Sequence, residues 1–219
     1  IVVVDSGSAD GTEAVARSFG AKFLRRDWPG YVAQKNFAAE SAAYDWILAI
    51  DADEEVDDRL RAAIEAVRRD GPRFDAYRFA RRARYLGAWI GHSGWYPDAK
   101  IRLYDRRRAR WAGGSVHESV VCAGRVGRLD GEIRHYTCDD FSAHIRTVDR
   151  YTSLAAADLA ARGAQPGWWR LALSPPWAVF RSFVVQRGFL DGWRGWLIAA
   201  MAGFYVFAKY AQARAARER

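Results

Sequence analysis

The first fifty residues constrain the fold more than any later stretch. Ile1–Val4 is a β-branched run of the kind found in strands covered on both faces, and it ends at Asp5. A loop of small residues follows, Asp5-Ser-Gly-Ser-Ala-Asp10-Gly-Thr-Glu13, then an Ala-rich helical stretch to Phe19 that Gly20 closes. Asp10 followed by Glu13 has the spacing of a capping box. Lys22–Leu24 reads as a second strand, Tyr31–Ala43 as a helix, and Trp46–Ile50 as a third strand ending at Asp51-Ala-Asp53. Asp57–Arg69 is again helical, closed by Gly71-Pro72. Strand and helix alternating at this pace predict an α/β fold with right-handed crossovers and a parallel sheet.

From residue 76 to about 137 the pattern changes to short strands, glycine-rich turns and aromatics, which predicts antiparallel or mixed pairing. Residues 142–162 read as a helix. In the C-terminal stretch Ser174-Pro175-Pro176 reads as a helix start for Trp177–Arg187, and a last helix is expected from Asp191 to Arg214. This divides the chain into a domain over 1–160 and a helical tail over 161–219.

Charge separates the same two parts. Residues 1–159 hold 25 of the 34 Lys and Arg and 24 of the 26 Asp and Glu, so they are almost neutral. The last sixty residues hold nine basic side chains, two acidic ones and five of the ten Trp. A nucleic-acid binder would spread its positive charge over the domain, so no nucleic-acid partner is expected. The longest apolar stretch of the tail, Gly195–Ala208, is 14 residues, against about 20 needed to span a bilayer. Trp193 and Trp196 stand at one end and Lys209 with Tyr210 at the other, a pattern suited to a helix lying in an anionic membrane interface. A hairpin packed on protein is the other reading. Two cysteines, Cys122 and Cys138, are too few for a disulfide framework and suggest free thiols in a reducing compartment.

Asp51-Ala52-Asp53 is the centre of the chemistry. Ligands of open α/β sheets bind beyond the carboxyl ends of the strands, which is where these two acids lie. Carboxylates two residues apart can place one group on a divalent cation and the other on a ribose or a bound water. The same acids continue into Glu54-Glu55 and Asp57-Asp58, which also suits a solvated helix start.

The first loop resembles the V-D-D-G-S-T-D-G-T turn of family 2 glycosyltransferases, which have the GT-A fold. Further motifs match in the same order. They are Trp28-Pro-Gly-Tyr31, Gln34-Lys35-Asn36, Asp45-Trp46, Asp51-Ala-Asp53-Glu54, Gly94-Trp95-Tyr96-Pro97-Asp98, Arg102-Leu103, Val116-His117-Glu118, His135-Tyr136, Gly188-Phe-Leu-Asp-Gly192 and Lys209-Tyr210. Together they are similar to a branch that adds β-glucose to the lipopolysaccharide inner core, and they cover residues 1 to about 212. Ser6 departs from the second Asp of the turn. The resemblance also implies that the family's first strand precedes Ile1, so the chain reads as a GT-A domain without that strand.

The resemblance implies a role for each matched residue. Asp5, Lys35, Asp51 and Arg102 would meet the nucleotide-sugar, and Asp53 with His117 would hold Mg2+ or Mn2+. Asp98 would be the catalytic base, and Trp95 and Tyr96 would contact the acceptor or the sugar. Direct displacement at an anomeric carbon needs a base opposite the leaving diphosphate, and a cation stabilises that leaving group. If Asp98 lies on a strand, Arg102 shares its face and can hold it. The Arg-rich runs at 78–84 and 106–110 can face an anionic acceptor or simply solvent.

The implied activity is inverting transfer of a hexose, glucose from UDP-glucose, to a lipid-anchored glycan on the inner face of a bacterial inner membrane. Transfer to a polyprenyl phosphate and a non-catalytic membrane-binding module are the alternatives.

Overall fold

The computed structural model describes residues 1–114, 118–164 and 167–216. In chain order its elements are β1 (Val2–Asp5), α1 (Thr12–Ser18), β2 (Lys22–Arg25), α2 (Tyr31–Glu40), β3 (Trp46–Leu48), β4 (Glu54–Val56) and α3 (Asp58–Asp70). Six strands follow: β5 (Ala76–Tyr85), β6 (Ala88–Trp89), β7 (Lys100–Asp105), β8 (Ala109–Gly113), β9 (Glu118–Cys122) and β10 (Val126–Cys138). The chain ends in α4 (Phe141–Ala161), α5 (Trp168–Phe180), a π-helical turn (Arg181–Val185), a 3₁₀ turn (Gly188–Asp191) and α6 (Gly192–Ala215). These elements form two compact units that interleave along the chain.

The first unit comprises Ile1–Asp51, Arg59–Phe79 and Lys100–Asp130. Here β1 and β2 pair in parallel, Val2 opposite Lys22 through Asp5 opposite Arg25. The third strand departs from expectation, because β3 runs antiparallel to β7, Trp46 opposite Asp105 and Leu48 opposite Leu103. The other edge of β7 takes the start of β5, with a register shift at Tyr77/Arg78. The strands β8 and β9 pair antiparallel, Ala109 opposite Cys122 through Gly113 opposite Glu118. Ala76, Tyr104, Ala109, Trp111 and Val120 form the core, with Val32 of α2 packed on it. Asn36 secures α2 further by giving its amide to the Trp111 carbonyl and accepting the Trp111 N–H, both at 3.0 Å.

The expected capping box is not made. The N-cap of α1 is Gly11, and Asp10 accepts from the N–H and hydroxyl of Thr12. Glu13 turns to Arg17 and Arg25, two ion pairs that outcompete a backbone cap for its carboxylate.

The second unit comprises Ala52–Asp58, Ala80–Ala99 and Gly131–Arg219. Glu54-Glu55, for which a solvated helix start was one reading, lie in β4, a strand paired antiparallel to β10, Glu54 opposite His135 and Val56 opposite Ile133. The strand β6 folds back on the end of β5. Asp140 caps α4 by accepting from Ser142 N–H and Ala143 N–H. Tyr85, Ile90 and Ile198 make a core with Leu86, Trp95, Cys138 and Leu197.

Pro175 and Pro176 lie inside α5 and do not open it. Proline removes a helical N–H and is usually confined to a first turn. Close packing on α6 accounts for the exception: a Cβ added to Gly203 would lie 2.6 Å from Val179 Cγ2 and 3.2 Å from the Pro175 carbonyl. At the start of α6 the backbones meet more tightly still, and a Cβ on Gly195 would fall 1.8 Å from the Gly188 carbonyl oxygen. No helix among the described residues is long and apolar enough to cross a membrane.

Candidate active site

In the first unit, charged groups gather around Asp51, which follows β3 and is anchored there by the Ala49 N–H to the Arg102 carbonyl at 2.8 Å. Arg102 Nη2 donates to Asp51 Oδ2 at 2.9 Å, and its side chain is only 4% exposed. Lys35 Nζ lies 3.1 Å from Asp51 Oδ1 and 3.4 Å from Glu118 Oε1. Both cations also lie over the Trp111 ring, at 4.4 Å for Lys35 and 5.2 Å for Arg102. The asparagine clasp on Trp111 therefore helps to place Lys35, its neighbour in sequence.

Burial of Asp51 pushes its pKa up, but the charges and hydrogen bonds of Arg102 and Lys35 outweigh that effect and hold it below the ordinary range. Asp51 is thus a fixed anion already balanced by two cations. Arg102 serves Asp51 here, and Asp98 has another partner. Asp5 takes the N–H groups of Gly7 and Ser8 on Oδ2, both at 2.8 Å. The Ser8 hydroxyl and these two amides keep its pKa low. Ser6 accepts from Gln34 Nε2 at 3.0 Å, which ties the loop to α2.

In the second unit Asp98 precedes β7 and is not on a strand. Its clamp is Arg81, whose Nη2 and Nε both reach Asp98 Oδ2, at 2.8 and 3.1 Å, while the Arg81 N–H donates to the Asp98 carbonyl at 3.1 Å. Arg81 also pairs at 3.4 Å with Glu54, whose side chain is fully buried. Burial lowers the Arg81 pKa, but the two carboxylates raise it by more. Side chains on β5 alternate between faces, so Arg81 shares the face of the buried Phe79 and Tyr85. That alternation was the available signal for Arg81, which the reading of the whole run as a basic face overlooked.

Asp53 and His135 form a second pair in this unit, Oδ2 to Nε2 at 3.0 Å, with His135 Nδ1 in turn 3.0 Å from the Thr137 hydroxyl. His135 sits in a quoted motif but carried no assigned role. His117, expected at the metal, lies outside the described residues. Among the described residues no three His, Cys, Asp or Glu gather as metal ligands. Trp95 meets Tyr85 and His144 edge to face at 5.3 and 6.1 Å, and Arg82 lies 5.5 Å over the Tyr96 ring. Trp193 and Trp196 are 59% and 54% exposed, and Lys209 lies 4.6 Å over the Tyr210 ring.

Residues 1–128 match the family model described as Glycosyl transferase family 2. The chain belongs to this family. As a family 2 member it is a glycosyltransferase, and similar proteins match along nearly its whole length. An uncharacterized glycosyltransferase of Rickettsia typhi is 31% identical over 98% of this chain and 77% of its own length. The lipopolysaccharide core biosynthesis glycosyltransferase LpsC of Rhizobium meliloti is 30% identical over 94% of this chain and 79% of its own. Among solved structures, TarS 1–349 of S. aureus in complex with UDP-GlcNAc is a distant likeness, with a TM-score of 0.45 and 14% identity over 99% of this chain and 82% of that one.

For a family 2 enzyme the residues offer two kinds of chemistry. The Asp51 group holds Lys35 and the buried Arg102 against one carboxylate. The Asp98 group holds a clamped carboxylate that is 31% exposed.

Proposed function

We propose that this family 2 member is an inverting, metal-dependent GT-A transferase. It would move glucose from UDP-glucose to a hydroxyl of a lipid-anchored glycan such as the lipopolysaccharide inner core. The observation that carries the reading is the Arg81 clamp on Asp98. It holds a carboxylate in one orientation yet open to solvent, as a general base for a sugar hydroxyl requires. The similarity to LpsC over most of both chains supports the choice of acceptor.

Lys35 and Arg102 would bind the nucleotide-sugar, with Asp51 orienting both and Asp5 contacting the base. Asp53 and His135 fit a divalent cation, since Mg2+ or Mn2+ commonly takes few protein ligands and completes its shell with phosphates and water. His117 remains a further candidate ligand. Bound there, the ion would supply Lewis-acid stabilisation of the departing diphosphate. Asp98 would accept the acceptor proton, while Trp95 and Tyr96 would bound the acceptor. Calorimetric titration of UDP, with and without Mn2+, tests the donor side. Binding strengthened by Mn2+ is expected. No UDP binding would overturn the donor reading, and equal affinity would overturn the metal.

The proposed place of action is the cytoplasmic face of a bacterial inner membrane. On α5 and the π turn Trp169, Leu173, Trp177, Phe180 and Val184 recur at helical spacing, and each is 46–65% exposed. Together with Trp193, Trp196 and Lys209 the stripe supplies aromatic and basic groups suited to anionic lipid. Replacing Trp193 and Trp196 together by Ala should weaken cosedimentation with phosphatidylglycerol vesicles by about tenfold or more. Unchanged binding would remove both residues from the membrane contact.

A further inference from the structure

Asp191 is a heavily engaged carboxylate outside the groups described above. It lies at the end of the 3₁₀ turn, directly before α6, and its side chain is 7% exposed. Its Oδ1 accepts from the Gly91 N–H at 3.0 Å and faces His92 Nδ1 at 3.2 Å. Its Oδ2 accepts from the His92 N–H and the Ser93 hydroxyl, both at 3.0 Å. One carboxylate thus gathers four polar groups from three consecutive residues about a hundred positions earlier in the chain.

The neighbouring contacts act on the same segment. Ser93 donates its N–H to the Gln186 carbonyl at 3.0 Å, and Ser182 donates its hydroxyl to the Ser93 carbonyl at 3.1 Å. Arg194 donates twice to the Leu86 carbonyl, at 2.9 and 2.8 Å. Ser93 itself is held in the left-handed region, φ +62°. A free loop has little reason to keep a non-glycine residue there, so the contacts that surround it must impose that conformation. Two residues further on the segment reaches Trp95, then Tyr96 and Asp98. Within this unit the segment is therefore pinned at its start by Asp191 and at its end by Arg81.

We propose that Asp191 is a positioning residue for sugar transfer: through the backbone of Gly91–Ser93 it sets the placement of Trp95, Tyr96 and Asp98. The proposal rests on the reading of Asp98 as the base. It assigns to the Gly188–Gly192 motif a task in acceptor chemistry, apart from any contact with lipid. Misplacing a catalytic group by about an ångström can cost about 100-fold in rate.

Asp191→Asn keeps the shape but turns an amide NH2 toward at least one N–H or O–H donor. Two readouts on the full chain test it. With UDP-glucose and heptose-terminated lipopolysaccharide core, acceptor-dependent turnover should fall about 100-fold while KM for UDP-glucose stays within about twofold. Hydrogen exchange of the peptide spanning residues 86–98 should speed up by about tenfold, with exchange in α2 unchanged. A purely structural role predicts accelerated exchange throughout and a rise in both KM values. If Asp191→Asn does not fold, Ser93→Ala removes one of the donors, and a smaller loss of about threefold with faster local exchange is expected. Unchanged exchange over 86–98, or unchanged transfer despite faster exchange, overturns the proposal. If the wild-type chain transfers no sugar, the proposed activity fails, and the exchange measurement still decides whether Asp191 holds the segment.

Discussion

Asp98→Asn is expected to lower transfer to a hydroxyl acceptor by about 10²–10⁴-fold, the range typical of losing a general base. The amide keeps the size of the side chain and can still accept from Arg81, so the segment should stay in place. UDP binding by calorimetry should be unchanged within about twofold, because the Arg81 clamp on Asp98 is no part of the donor group around Asp51. The same variant separates two acceptor classes. A polyprenyl phosphate attacks through an oxygen that carries no proton at neutral pH, so that reaction needs little base. Near-wild-type turnover by Asp98→Asn would therefore replace the glycan hydroxyl with a phosphate acceptor.

Arg102→Met is expected to lower stability. Removing one partner of a buried ion pair typically costs about 3–5 kcal/mol. Asp51 is one-third exposed and retains Lys35, so about 2 kcal/mol is expected here. The pH dependence identifies the source. The folded Asp51 pKa is depressed below its unfolded value, near 3.9. Its pairing therefore stabilises the fold fully above that value, and the contribution is lost as pH falls through the lower folded pKa. The difference between wild type and Arg102→Met in urea unfolding should be largest near neutral pH and shrink in acid. A difference independent of pH would mean that lost packing of Arg102 on Trp111, not charge, accounts for the effect. UDP affinity should fall with the same substitution.

Local pattern gave good access to elements whose cause is local. The β-branched run at the start, the Ala-rich helices and the alternation through Asp70 were legible because period and propensity act over a few residues. Pairing partners were less legible. Trp46–Leu48 joins Leu103–Asp105 more than fifty residues away, and nothing in either segment states that the pairing is antiparallel. Glu54-Glu55 also suited a solvated helix start because acids suggest solvent, yet the Glu54 side chain is buried against Arg81. At Pro175 and Pro176 a sound local rule gave way to packing on α6.

The candidate site shows the same division. Asp51, Lys35, Arg102 and Asp98 were each legible from motifs, whereas their pairings were not. Arg102 would share a face with Asp98 only if Asp98 lay on a strand, and β7 starts at Lys100. Arg81 was hidden in a run of arginines that only the two-residue period of β5 resolves. His135 was visible in sequence but had no assigned partner until β10 brought it to Asp53.

The backbone approach of Gly195 to Gly188 has an evolutionary consequence. A junction with no room for a methyl group cannot vary by gradual steps, since even alanine must displace the start of α6 and carry Asp191 with it. The aromatic positions along α5 are under no such restriction, because their side chains stand about half in the open. Descendants of this chain can retune the outer face of their helices residue by residue while the joint beneath it remains unchanged.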